Sequence, residues 1–151
     1  MENFTYRFKS LELLQFATLA DTYDPDNIAI HNELRYMFDE TACVIFCLLS
    51  VTVADSATSA PLLKAEMMSG FEIKKEGVAS VTKGDEVIFP AQFIAHLASL
   101  TYSSMRGAIN VKAENTAFSK FILPAQNIQD LIKKPFVYKK YSAEMSNIVG
   151  E

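Results

Sequence analysis

Strict alternation of apolar and polar residues, kept up over long stretches, constrains this chain more than any other feature. Ile28, Ile30, Asn32, Leu34, Tyr36 and Phe38 alternate with Ala29, His31, Glu33, Arg35, Met37 and Asp39. Leu63, Ala65, Met67, Ser69, Phe71 and Ile73 alternate with Lys64, Glu66, Met68, Gly70, Glu72 and Lys74. Near the start, Phe4, Tyr6 and Phe8 oppose Thr5, Arg7 and Lys9, and the pattern then slips through Leu11, Leu13, Leu14 and Phe16. Successive side chains of a strand point to opposite faces, so each run predicts a half-buried strand. The slip predicts a bulge, and Gly70 marks a bulge or a close approach.

Between these runs, Thr41 to Val53 is apolar on both faces, as expected of a central strand covered on both sides. Asp39-Glu40 reads as a hairpin turn, and "DTYDPDN" (21–27) and "ADSATSAP" (54–61) read as polar loops. Four long strands with short connections predict an antiparallel sheet. The segment 74–87 is open to two readings, a loop or a short helical crossover.

The period then changes. In "FPAQFIAHLASLTYSSMRGAI" (89–109), Pro90 suits a first helical turn and Gly107 suits a helix end. Phe93, Leu97, Leu100 and Ser104 form one stripe, widened by Ile94, Ala98, Thr101 and Met105. A shorter helix is expected between Pro124 and Pro135, with Ile109 and Val111 on a hairpin or extended arm before it. Strands followed by helices define an α+β fold. The expectation is a four-stranded antiparallel sheet followed by a long and a short helix packed on one side. A chain of 151 residues forms one such domain, over 1–151.

Chemistry is hard to find. There is no glycine-rich phosphate loop, no nucleophile elbow and no metal-spaced histidine pair. Cys43 and Cys47, four apart, would share a strand face too far apart for a disulfide, which fits buried thiols in a reducing compartment. His31 lies on a polar face, and His96 has no carboxylate three or four residues away, so it reads as packed or hydrogen-bonded. These features predict no enzyme, no cofactor and no metal. A net charge of −4 argues against nucleic acid. The first residues lack a signal-peptide pattern and the longest apolar run, Ala42 to Leu49, is too short to span a bilayer. A soluble, cytoplasmic protein without membrane insertion is expected.

What the sequence offers is apolar surface. Met37, Met67, Met68, Met105, Phe71, Phe89 and Phe93 fall in or beside the sheet and its helix, and methionine adapts to irregular partners. Two helices cannot cover both faces of a four-stranded sheet, so the remainder must meet another subunit or a ligand.

Several short motifs together resemble the SecB family of protein-export chaperones. Phe89-Pro90-Ala91 is similar to the opening of that family's long helix, and Arg106-Gly107 to its end. Leu123-Pro124-Ala125-Gln126-Asn127-Ile128-Gln129-Asp130-Leu131 resembles the opening of its last helix, and Gly70-Phe71-Glu72-Ile73 the end of a family strand. Ala91-Gln92-Phe93 departs from the family's Tyr-Ala-Arg, and extra residues precede Leu123. The resemblance implies a homo-oligomer, dimer or tetramer, acting as an ATP-independent holdase for unfolded or pre-secretory polypeptides, with the SecA motor as a further partner. Alternatives are an adaptor oligomer gripping one folded partner, or a chaperone associated with a toxin–antitoxin system. Candidate client contacts are Met67, Phe71 and Ile73 on the third alternating run, with Phe93, Leu97 and Leu100 on the helix. Ile94, Tyr102 and Met105 are candidate oligomer contacts.

Overall fold

A computed structural model describes residues 4–140 and the backbone of Ser146–Gly150. Four long strands, β1 (Tyr6–Thr18), β2 (Ile28–Asp39), β3 (Val44–Asp55) and β4 (Pro61–Ile73), form an antiparallel sheet in the order β1-β4-β3-β2. The fold is α+β: the strands come first and the long helix α2 (Ala91–Lys112) follows. Between them lie α1 (Lys75–Ser80), β5 (Thr82–Lys83) and β6 (Glu86–Phe89), and after α2 come α3 (Ile128–Leu131), β7 (Phe136–Lys139) and β8 (Ser146–Gly150). Strand β8 extends the large sheet beyond β2, while β5, β6 and β7 make a separate small sheet.

Register explains the sequence pattern. Tyr36, Cys47, Ser69 and Leu11 form one row across the sheet, and Phe38, Ile45, Phe71 and Phe8 another. Cross-strand partners share a face, so the alternating apolar sets of all four strands converge on one side. Two positions of β1, Lys9 and Leu14, have no partner on β4. Each is a bulge of one extra residue, and together they return Leu11, Leu13 and Phe16 to the face already occupied by Tyr6 and Phe8. The slip in alternation is therefore an adjustment that preserves facing.

On this face α2 buries Phe93, Ile94, Leu97, Ala98, Thr101, Tyr102, Met105 and Ile109. The small sheet packs on the same side, where Phe89 and Phe136 stack at 6.0 Å and Phe38 meets Phe89 and Tyr138 edge-on. The opposite face carries a half-buried apolar centre of Met37, Phe46, Leu48 and Met68. Gly70 belongs to it as a close approach: a Cβ there would meet Phe46 at 3.1 Å and the Ser10 hydroxyl at 2.5 Å.

Several local expectations are corrected. The helix does not stop at Arg106-Gly107. It runs to Lys112, because Ile109 and then Ala113 are fully buried and hold the extra turn down. Ile109 and Val111 are accordingly helical, not on an arm or hairpin. The segment after Lys74 is both a helix and a hairpin, α1 followed by β5 and β6 around Gly84 at φ +62°. The second helix shrinks to Ile128–Leu131, with the chain from Phe121 to Asn127 free of helix. The turn after β2 spans Glu40–Cys43, so β3 begins at Val44 and not Thr41, and Cys43 sits off the strand at φ +54°. Among the described residues no helix is long and apolar enough to cross a membrane.

Candidate functional site

A concavity lies where the start of β1 meets the start of α2. Pro90 directs the chain into the helix, and its carbonyl accepts from the N–H groups of Phe93 and Ile94. This places Phe93 one turn before Leu97 on the buried stripe. Phe4, just ahead of β1, stacks on Phe93 with centroids 4.3 Å apart and planes 24° apart. Tyr6 meets Phe93 and Phe71 edge-on at 6.0 Å each. The Tyr6 hydroxyl lies 2.5 Å from His96 Nε2, which ties the edge strand to the helix. His96 thus gains a phenolic partner from another element, the hydrogen-bonded role its isolation in sequence suggested.

The resulting cleft, about 580 Å³, has an aromatic floor of Phe4, Tyr6 and Phe93. Its rim is polar, with Gln92, Gln129 and Asp130 exposed. Asn127 Nδ2 donates to Asp130 Oδ2 at 2.8 Å, fixing one side of the mouth. An aromatic floor with a polar rim suits an apolar side chain carried on a polar backbone.

From Tyr6 an apolar strip continues along β1. Phe8 and Leu11 point to the α2 side of the sheet yet are 45 % and 49 % exposed, and Leu13 and Phe16 are half-buried. The reason is lateral. Residues 121–132 lie on the β2 side of α2, held by Tyr102 donating to the Pro124 carbonyl at 2.6 Å and Arg106 to the Leu123 carbonyl at 2.8 Å. Asn32 Nδ2 donates to Gln126 Oε1 at 2.6 Å from the same flank. Nothing comparable flanks α2 on the β1 side among the described residues. There α2 turns Ser103, Gly107 and Val111 outward and leaves Leu100 half-buried.

The residues singled out from sequence are brought together beneath this surface. Met67, Phe71, Ile73, Phe93 and Leu97 are buried between sheet and helix, with only Leu100 half-exposed at the flank. Phe71 supports the strip directly, its ring 4.6 Å from that of Phe8. Ile94, Tyr102 and Met105 are buried on the opposite side of the helix stripe. The strip-forming residues Phe8 and Leu11 and the cleft residue Phe4 were read in sequence only as strand pattern. A signal was present, since two bulges spent to keep large side chains on one face of an edge strand imply a use for that face.

Beneath α2 runs a polar seam. Tyr36 donates to the Ile94 carbonyl at 3.0 Å and Thr101 to the Leu97 carbonyl at 2.9 Å. Burial drives the Cys47 thiol up to about 12, so it stays protonated and inert at neutral pH. Burial likewise holds the Tyr36 phenol neutral. The Tyr36 bond fastens the helix to the sheet, while the Thr101 bond stays within α2. Among the described residues no group of three or more His, Cys, Asp or Glu is placed to hold a metal ion.

The four-stranded antiparallel sheet, its strand order and the helix laid across one face define an α+β fold similar to that of SecB-like proteins. A search of solved structures bears this out with a SecB-like chaperone of Mycobacterium tuberculosis, determined in complex with a ChAD peptide from an antitoxin. The two superpose with a TM-score of 0.50 over 80 % of this chain and 90 % of that one, at 12 % sequence identity. At that identity the likeness is one of fold. No family profile matches the chain, and no curated protein matches it in sequence.

Proposed function

We propose that this protein is an ATP-independent holdase that captures extended apolar segments of non-native polypeptides. The observation that carries the reading is the aromatic cleft of Phe4, Tyr6 and Phe93 opening onto an uncovered apolar strip. Such surface is unfavourable in water and gains by burial, at about 25 cal/mol per Å². A client that buries its own apolar side chains in the cleft is withdrawn from aggregation by mass action, with no nucleotide chemistry.

The two parts of the surface take different occupants. Phe8 and Leu11 on the free β1 edge receive a second copy of the chain, giving a homo-oligomer joined sheet to sheet. The cleft receives the client on its floor of Phe4, Tyr6 and Phe93, with Leu100 at the flank, and with Leu97, Met67, Phe71 and Ile73 as the buried layer beneath that keeps Tyr6 and Phe8 in place. Ile94, Tyr102 and Met105 support assembly from within, by fixing the helix whose flank the neighbouring copy meets. The antitoxin peptide held by the Mycobacterium tuberculosis protein supports polypeptide clients and favours a toxin–antitoxin setting over delivery to SecA.

The test uses suppression of aggregation of a chemically unfolded client at stoichiometric ratio, together with solution mass by light scattering. Phe4→Ser should abolish suppression and leave the oligomer intact. Phe8→Ser with Leu11→Ser should lower the mass to that of a monomer. A parent protein that neither suppresses aggregation nor exceeds monomer mass would sink the proposal. Affinity capture distinguishes an adaptor, which retains one folded partner, from a holdase, which retains many.

A further inference from the structure

The far side of the sheet suggests a second acceptor. Strand β2 is paired with β3 along its whole length, but on its outer side, among the described residues, only Asn32 to Tyr36 have partners, supplied by Gly150 to Ser146 of the same chain. We propose that this stretch of β2 is an acceptor site for an uncharged, extended polypeptide strand, and that residues 146–150 hold it as an exchangeable occupant.

Three observations support this. The occupant is one short antiparallel strand on one edge, and its attachment is a backbone ladder that any extended chain of the same polarity reproduces. Its sequence, Ser-Asn-Ile-Val-Gly, has no charge and no proline and includes two β-branched residues, which defines the chemistry the edge accepts. The third is a polar group left without a partner. Asn32 is 3 % exposed and its Oδ1 has no hydrogen-bond partner, although its Nδ2 is bonded to Gln126. Directly opposite in register is Gly150, a residue with no side chain to offer. Cross-strand partners share a face, so an incoming strand with serine or threonine at that position supplies the missing donor. An exchangeable strand that leaves a buried acceptor unsatisfied is an occupant that a better-matched strand displaces.

This inference needs only the pairing at β2 and stands whether or not the cleft captures clients. The probe is a fluorescein-labelled synthetic peptide of residues 144–151, Glu-Met-Ser-Asn-Ile-Val-Gly-Glu, with a second peptide carrying Gly150→Ser. The receptor is the full chain with Ile148→Pro and Val149→Pro, which removes the ladder of the resident strand. The substituted chain should bind the first peptide at least tenfold more tightly than the parent does, because the parent's edge is filled. The Gly150→Ser peptide should bind more tightly than the first, and bound peptide should slow amide exchange at Asn32–Tyr36. Equal affinity of the two chains, or protection appearing on β1 instead, overturns the proposal. Should the double variant not fold, the parent decides the matter: excess peptide should accelerate amide exchange across residues 146–150, and unchanged exchange there overturns it equally.

Discussion

The two edges of the large sheet are finished in opposite ways. At β2 the helix-facing side is flanked by residues 121–132, and the edge itself is paired with β8. At β1, among the described residues, the ladder ends and the flank of α2 is open, and Phe8 and Leu11 stay about half exposed. Both edges rest on equally dense floors, Leu34 and Tyr36 under one and Phe71 and Ile73 under the other, all 2 % exposed or less. The difference therefore lies in what covers the edge, and not in how well it is built. An edge strand is a template for pairing, so the proposed contact with a second copy depends on the apolar β1 edge and not on the filled β2 edge.

The comparison breaks most readily at its floor. Phe71→Ala removes the ring that supports Phe8 and Tyr6 in a fully buried site and should cost about 3–5 kcal/mol in chemical denaturation. Phe8→Ala, at a half-exposed position, should cost less than about 1 kcal/mol. Similar losses for both would mean that the strip belongs to the core.

A smaller effect is expected beside the first bulge. Gly70→Ala drives a Cβ against Ser10 and Phe46, and overpacking of this kind costs about 1–3 kcal/mol. In amide exchange the loss should appear along β1 and β4 and leave β2 unchanged. Uniform loosening of the sheet would show that the edges are not independent.

The smallest effect concerns charge. Arg7 Nε donates to Glu72 Oε1 at 2.7 Å, and Lys9 lies 3.6 Å from Oε2. The Arg7 hydrogen bond comes first among the influences that hold the Glu72 carboxyl below its ordinary range. A carboxylate lowered on folding contributes stability that is complete above its unfolded value and is lost as pH falls through the lowered one. Because the pair is exposed, the effect is small and salt-sensitive. An NMR titration should show the Glu72 midpoint rising in Arg7→Gln, and an unmoved midpoint would show that the pair does not pin β1 to β4.

The strands were legible because period two survives in them, and the slip through Leu13-Leu14 announced the bulges that restore facing. The small sheet was not legible, because strands as short as Thr82–Lys83 and Phe136–Lys139 carry too few residues to show a period. Gly107 misled because glycine marks helix ends in general. Here the burial of Ile109 and Ala113 outweighs the roughly 1 kcal/mol that a mid-helix glycine costs. For the site, alternation names the face on which Met67 and Phe71 lie, but not the layer that covers it. Whether a helix, a loop or nothing lies above a strand depends on the lateral placement of α2, which Tyr6 and His96 on one side and Tyr102 and Arg106 on the other determine together. Those pairings are separated by 90 residues in one case and 17 to 22 in the others, beyond any local pattern.

The two bulges of β1 have a consequence for solubility as well. They divide the edge into uninterrupted ladders at Tyr6–Phe8, Ser10–Leu13 and Gln15–Thr18. Cross-β fibrils grow from flat in-register segments of about six or seven residues, and none of these ladders reaches that length. The apolar edge is thereby unable to template an endless stack of its own kind.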